Sequence, residues 1–160
     1  MGTRAIITKN GKPFIATHWD GYPESLGEDL MNTKTDKEIV EVAKKHNIDF
    51  ADLRSPSIKA ERERRFRNIS KKTKGKYSVK KLKEMAKKGE QLRFGIHTPE
   101  FSPIDPIKHY DDYAEYQYDL KDGKWRIREL GDTWKKAEKG VWQPLKKAVA
   151  RAKAKLKKMV

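Results

Sequence analysis

The residues best suited to chemistry lie near the N-terminus, around a short turn. His18 and Asp20 are two positions apart, and Arg4 lies in the strand that the pattern pairs with the strand before His18. A histidine that is oriented by a carboxylate can act as a general acid or base. A neighbouring arginine can hold a phosphate or a carboxylate through two parallel hydrogen bonds. The corner formed by Arg4, His18 and Asp20 is therefore a candidate catalytic site, and its spacing matches no known catalytic motif.

The same corner also has a purely structural interpretation. The pair Asp20-Gly21 favours a turn, and Pro23 suits the first turn of a helix. Trp19 is then expected to fill the core beside the turn. In that interpretation the corner joins a strand to a helix and carries no reaction.

Two strings in this chain resemble a family of small, uncharacterised prokaryotic and phage proteins. They are Met1-Gly2-Thr3-Arg4-Ala5-Ile6-Ile7 and Thr17-His18-Trp19-Asp20-Gly21-Tyr22-Pro23-Glu24-Ser25-Leu26-Gly27. Members of that family begin with a Gly-Thr-Arg strand, followed by a Trp-Asp-Gly-Tyr-Pro turn and a helix. A later string also looks like the family's aromatic Tyr-x-Tyr strand: Tyr113-Ala114-Glu115-Tyr116-Gln117-Tyr118. The resemblance covers residues 1–30 and the segment 113–130, and it implies no activity, because none is assigned to the family.

Positive charge is concentrated in two segments of the chain, whose total net charge is +15. Residues 54–93 hold 16 Lys and Arg against 4 Asp and Glu, and residues 135–160 hold 10 against 1. Such blocks attract polyanions, because each phosphate contact releases condensed counterions. No helix-turn-helix or zinc-finger pattern is present, so the predicted partner is nucleic acid contacted through its phosphates and not its bases. The residues predicted to contact phosphate are Arg62, Arg64, Arg65, Arg67, Lys71, Lys72, Lys74, Lys76, Lys146, Lys147 and Lys153.

The habitat of the host offers another source for this charge. Abundant Lys and Glu are typical of hyperthermophile proteins, and the protein would then be a structural or partner-binding protein. A helix stabilised by ion pairs alternates the sign of its charges, whereas Glu138 is the only acidic residue in 135–160. This imbalance favours a surface for a polyanion.

Several kinds of site are excluded or unsupported. The chain has no Cys, which excludes disulfides and thiolate metal sites. The residues His97, His109, Asp111 and Asp112 match no standard ligand spacing, so neither a metal nor a cofactor is predicted. There is no apolar run of membrane-spanning length and no signal-peptide pattern, which predicts a cytoplasmic protein without membrane insertion. The sequence makes no prediction about the oligomeric state.

Hairpins and amphipathic helices together predict the fold. Hairpins are expected over residues 4–19, with the turn Asn10-Gly11, and over residues 114–130; residues 91–96 alternate as a further strand. Helices are expected after a capping box at Thr35 to Glu38, over 55–72, over 78–88 and over 142–160. The sequence thus predicts a single α+β domain over 1–160, in which helices cover an antiparallel sheet of about five strands.

Two finer expectations concern which side chains are buried. In the second hairpin Gln117 and Asp119 alternate with aromatic residues, which predicts that they lie on a wet face of the sheet. In the basic C-terminal helix, 142–160, an apolar stripe is expected to dock on the domain. That stripe consists of Leu145, Val149, Ala152 and Leu156.

Overall fold

A computed structural model describes residues 3–88, 102–104, 114–130 and 140–159. The chain divides into two compact units, Met1–Asp52 with Ser102–Val160 and Leu53–Phe101. The predicted strand at 91–96 lies outside the described residues. So do the four His and Asp side chains that were considered as metal ligands.

The first unit is built on a mixed sheet. Its strands are β1 (Ala5–Lys9), β2 (Lys12–Thr17), β3 (Ile48–Ala51), β4 (Ser102–Pro103), β5 (Tyr116–Lys121), β6 (Lys124–Glu129) and β7 (Gln143–Pro144). They lie in the order β4-β3-β2-β1-β5-β6-β7. The pairs β1–β5 and β3–β4 are parallel, and the other neighbouring pairs are antiparallel. The predicted α+β class with a mostly antiparallel sheet is confirmed, and β4 and β7 are two-residue additions at its edges.

The helices follow the predicted segments closely. They are a π-helical turn (Pro23–Gly27), α1 (Glu28–Leu30), α2 (Asp36–Lys44), α3 (Pro56–Lys72), α4 (Val79–Lys87) and α5 (Leu145–Met159). The capping box before α2 is present, with Thr35 Oγ1 accepting from the Glu38 N–H at 3.2 Å and Glu38 Oε1 accepting from the Thr35 N–H at 3.1 Å. Hydrogen bonds from the Thr35 hydroxyl and backbone lower the pKa of Glu38.

Both predicted hairpins have the turns that their sequences require. Asn10 and Gly11 have φ values of +49° and +79°, and Asp122 and Gly123 have values of +50° and +78°. These are the positive φ angles of two-residue hairpin turns, which Asn-Gly and Asp-Gly adopt at low cost. The local sequence therefore sets the register of β1 with β2 and of β5 with β6.

Both faces of the central strands are buried. On one face the π-helical turn and α5 approach so closely that a Cβ on Gly27 would lie 3.2 Å from both Leu145 Cδ1 and Tyr118 Cε1. On the other face a cluster forms from Ile6, Ala16, Ile104, Ala114 and Leu130. The prediction of a wet face is wrong for Gln117 and Asp119, which are 2% and 0% exposed. Their polar groups are satisfied by hydrogen bonds with Thr8 and with arginines of β6.

The second unit is a helical hairpin of α3 and α4. Phe66, Leu82 and Ala86 form its buried core. The connection turns at Lys74 and Gly75, with φ values of +52° and +77°. Ser78 then caps α4, because its hydroxyl accepts a hydrogen bond from the Lys81 N–H at 3.2 Å. This hairpin presents the basic middle segment of the chain.

Within the described residues, none of the helices combines the length and the apolar composition that crossing a membrane requires.

Candidate functional site

The carboxylate that orients His18 comes from β3 and not from the turn. His18 Nδ1 lies 2.7 Å from Asp49 Oδ2. Asp20 lies in the turn with a φ of +53°, and its Oδ1 accepts from the Tyr22 hydroxyl at 3.3 Å. The structure therefore contains the expected histidine–carboxylate pair with a different acid. Asp49 lies 31 residues from His18 in the chain, so only the pairing of β2 with β3 reveals it.

The expectation that Trp19 fills the core is wrong, since its side chain is 56% exposed. The N–H groups of His18 and Trp19 both donate to the carbonyl of His46, at 3.1 and 3.0 Å. These bonds fix the backbone of the turn against the segment after α2. The turn is thus held by its main chain, and the indole is left in solvent.

Gly21 occupies a position in this corner where neighbouring atoms leave no space for a side chain. Its N–H donates to the Thr3 carbonyl at 2.9 Å, and its carbonyl accepts from the Tyr118 hydroxyl at 2.6 Å. A Cβ at this position would lie 2.8 Å from both Ala5 Cβ and Thr3 O. Only a residue without a side chain fits here, so the Asp20-Gly21 part of the motif has a structural role.

His46 is a second histidine at this corner, and the sequence analysis did not single it out. It is 4% exposed, with Nδ1 at 3.0 Å from the Trp19 carbonyl and Nε2 at 3.1 Å from Asp29 Oδ2. Both ring nitrogens therefore face oxygen atoms of the protein. Because His46 is buried and fully engaged, it serves the corner as a structural group.

The corner offers chemistry at an open surface. Arg4 precedes Ala5 and His18 follows Thr17, and because Ala5 and Thr17 are paired, Arg4 and His18 lie beside each other where β1 begins and β2 ends. Among the described residues, Arg4, His18 and Asp20 line neither the cavity of about 350 Å³ nor that of about 580 Å³ in the first unit.

The arginines predicted on α3 divide into engaged and exposed groups. Arg64 Nε and Nη2 donate to the two carboxylate oxygens of Glu61, at 2.6 and 3.0 Å, and Arg65 Nε lies 3.7 Å from Glu61 Oε2. Burial lowers the pKa of Arg65, against the opposing effect of Glu61. Arg62 is half-buried, whereas Arg67 is exposed. Arg64 and Arg65 thus neutralise the buried carboxylate of Glu61. The exposed Arg67 is better placed than either of them to bind an external anion.

The turn between α3 and α4 presents a group of exposed cations in the second unit. Each of the four predicted lysines is exposed, and within the described residues none forms an ion pair: Lys71, Lys72, Lys74 and Lys76. Beside them, the ammonium groups of Lys76 and Lys81 lie 5.9 and 5.4 Å from the ring of Tyr77.

Helix α5 docks by its first half alone. Leu145 and Val149 are 1% and 2% exposed, whereas Leu156 is 45% exposed and Met159 is 82% exposed. The expected docking stripe is therefore confirmed for its first two residues, and it is wrong for Leu156. A cavity of about 350 Å³ lies under the second half, between α5, the π-helical turn and β6.

The basic side chains of α5 point into solvent. Lys146 and Lys147 are exposed, and Lys153 is exposed but paired with Glu28. Further exposed cations occupy the projecting half: Arg151, Lys155, Lys157 and Lys158. Apart from Lys153, the cations of α5 have no ion-pair partner among the described residues.

The predicted site residues thus form a histidine–carboxylate corner, a basic helical hairpin and a basic projecting helix. No family model, no curated protein and no solved structure matches this chain. The resemblance to small prokaryotic and phage proteins stays a prediction, and the functional assignment rests on the geometry of these three places.

Proposed function

We propose that the protein binds nucleic acid through the phosphate backbone without reading base sequence. The observation that carries this proposal is the exposure of the cations of α5 together with their lack of acidic partners in the described part of the chain. Thermophilic ion-pair networks place lysines beside carboxylates. Among the described residues, Lys153 is the one cation of α5 that has such a partner. The charge of this helix is therefore available to an external polyanion.

Each unit of the protein supplies its own basic surface. In the first unit it is α5, and in the second unit it is the α3–α4 turn, with Arg67 on the last turns of α3. Flexible lysines act as point charges that suit phosphates of any strand geometry, and they carry no base information. The proposal therefore predicts comparable recognition of different sequences. A nucleic-acid ligand also implies a cytoplasmic protein, which belongs to the same proposal.

Fluorescence-anisotropy titrations with duplex DNA and with single-stranded RNA test the proposal. If about six phosphates are neutralised, log K should fall with log salt with a slope of about −5 on duplex DNA. Two sequences of equal length and different base composition should bind alike. Absence of binding at about 50 mM salt, or binding that ignores salt, would refute the proposal.

Charge reversals locate the binding surfaces. K146E/K147E/K157E changes α5, and K72E/K74E/K76E changes the α3–α4 turn. K12E/K37E/K45E is the matched control, because it makes the same change of net charge at exposed lysines outside the two basic segments. The first two variants should weaken binding and flatten the salt slope far more than the control. Equal losses in all three would show that net charge alone, and no defined surface, drives binding.

A small enzyme is the second candidate, favoured by the 2.7 Å contact between His18 and Asp49. In that case His18 acts as the general acid or base, and the bound nucleic acid is the first substrate to try. Incubation of labelled RNA with the wild type and with His18→Ala tests this candidate. Cleavage by the wild type and not by the variant supports it; intact RNA in both samples removes this reaction from consideration.

A further inference from the structure

Two arginines on β6 project from the same face of the sheet. Arg126 and Arg128 are two positions apart, so their side chains leave the strand in the same direction. Arg126 Nε donates to Asp119 Oδ2 at 2.8 Å, and Arg128 Nε donates to Gln117 Oε1 at 2.9 Å. Each guanidinium is thus attached to the neighbouring strand by one of its three nitrogens.

The acceptors of these bonds are themselves fixed in a buried network. Asp119 Oδ1 accepts from the Thr8 hydroxyl at 2.6 Å and from the Gly11 N–H at 2.8 Å. Gln117 Nε2 donates to Thr8 Oγ1 at 3.2 Å, so Thr8 links the two acceptors. Because Thr8, Gln117 and Asp119 are at most 2% exposed, the network is shielded from competing water.

Trp142 provides a further constraint on both guanidiniums. The centre of its ring lies 3.9 Å from Arg126 Cζ and 4.5 Å from Arg128 Cζ. An arginine that stacks on an indole keeps its N–H groups in the guanidinium plane, where they remain able to donate. The hydrogen bond and the stacking together hold each arginine in one orientation.

The terminal nitrogens of both arginines are available for a ligand. Within the described residues, Nη1 and Nη2 of Arg126 and Arg128 make no hydrogen bond or ion pair. The Arg126 side chain is 27% exposed, and Arg128 is also half-buried. Two guanidiniums that are oriented in advance, and whose Nη groups have no partner among the described residues, match the several oxygens of a phosphate.

The surroundings of the pair favour an anion. Asp119 neutralises Arg126, and Arg128 lines the cavity of about 350 Å³ with the cations Arg151 and Lys155 and the carboxylates Glu24 and Glu129. Arg126 and Trp142 also line an open cavity of about 580 Å³ together with Lys121, Lys124 and Asp122. The charged side chains that line this cavity, counted together with Asp119, carry a net positive charge. A phosphate presents two or three charged oxygens in a tetrahedral arrangement, so each of the two guanidiniums can bind a different oxygen.

We propose that Arg126 and Arg128, oriented by Asp119, Gln117 and Trp142, form a phosphate-binding site that holds one phosphate of a nucleic-acid strand. This inference rests on the proposed function for the origin of the phosphate. It adds a built site to the diffuse lysine surfaces, and its two arginines lie outside the basic segments. The phosphate is either a terminal monoester, which presents three non-bridging oxygens to the guanidiniums, or an internal diester, which presents two.

Small probes separate this site from general polyanion binding. Full-length, ¹⁵N-labelled protein is titrated with inorganic phosphate, with d(TpT) and with d(pTpT), and the Arg128 Nε–H and Trp142 indole N–H signals are followed. A terminal-phosphate site shifts these signals with phosphate and d(pTpT), and a diester site shifts them with both dinucleotides. If none of the probes moves them, the site is refuted, whatever the protein does with long duplexes.

Variants at position 128 provide the quantitative test. Arg128→Gln should weaken binding of the effective probe by about tenfold or more, since hydrogen bonds to charged groups are strong. Arg128→Lys keeps the charge but loses the planar fork, and it should weaken binding nearly as much. Lys37→Gln removes the same charge from an exposed position on α2 and should leave the affinity unchanged. Arg126 is left intact, because its loss would leave the buried Asp119 unpaired and unfold the protein.

The outcomes of the two sets of experiments are distinct. If Arg128→Gln and Lys37→Gln weaken probe binding equally, the built site is wrong and only diffuse charge acts. In that case the lysine reversals on α5 and the α3–α4 turn still decide the proposed function. If long nucleic acids fail to bind the wild type, the proposed function is wrong, and the signals of Arg128 and Trp142 with inorganic phosphate still decide the anion site.

Discussion

Because α5 is docked through its first half, truncating a leucine in each half should have very different effects on the free energy of unfolding. Leu145 is 1% exposed and packs beside Gly27. A Cβ atom on Gly27 would lie only 3.2 Å from Leu145 Cδ1, so the packing here is close. Leu145→Ala leaves a cavity in a closely packed place and should cost about 2.7–5 kcal/mol of unfolding free energy. Leu156 is 45% exposed on the projecting half. Leu156→Ala removes little buried surface and should cost less than about 1 kcal/mol.

Urea unfolding followed by circular dichroism measures both values. Alanine favours the helix at least as well as leucine does, so helix propensity does not obscure the comparison. Equal slopes of free energy against urea for the two variants are required before their midpoints are compared. The charge reversal K146E/K147E/K157E is the companion variant, because it should weaken nucleic-acid binding with little change in the midpoint. If Leu145→Ala is as stable as the wild type, α5 is not docked, and the reasoning from burial is refuted.

Three further perturbations test the corner and the sheet by thermal or urea unfolding. Trp19→Ala should cost less than about 1 kcal/mol, because the exposed indole buries little surface; a loss of about 3–5 kcal/mol would restore a core role for this residue. Gly21→Ala should lower the melting temperature strongly, because its Cβ would lie 2.8 Å from the Thr3 carbonyl; an unchanged value would contradict the close packing of the corner. Burial raises the pKa of Tyr118 well above its usual value of 10.0, so the folded state keeps a proton that the unfolded state loses. Stability should therefore be complete below about pH 10 and decline as the pH rises beyond it, and Tyr118→Phe should reduce that decline.

The sequence predicted those features that depend on neighbouring residues. The turns at Asn10-Gly11 and Asp122-Gly123, the capping box at Thr35 and the ends of α3 and α4 all follow from local rules of φ, capping and periodicity. Each involves atoms within a few residues of one another, so no knowledge of the tertiary fold is needed. The same reasoning identified the lysines of α5 and of the α3–α4 turn, because the charge of a segment is a property of its composition.

The tertiary structure alone decided which groups are brought together across the sheet. The parallel pairing of β1 with β5 places Thr8 beside Asp119, and the hydrogen bonds of Thr8 with Asp119 and Gln117 help to fix these two residues as the anchors of Arg126 and Arg128. The hairpin register already places Asp119 opposite Arg126 and Gln117 opposite Arg128, and this cross-strand match was the available signal. The contacts of Thr8 and Trp142 join residues from distant parts of the chain. Alternation along a strand states which side chains share a face, but the elements packed on that face determine whether it is wet, buried or ready to bind a ligand.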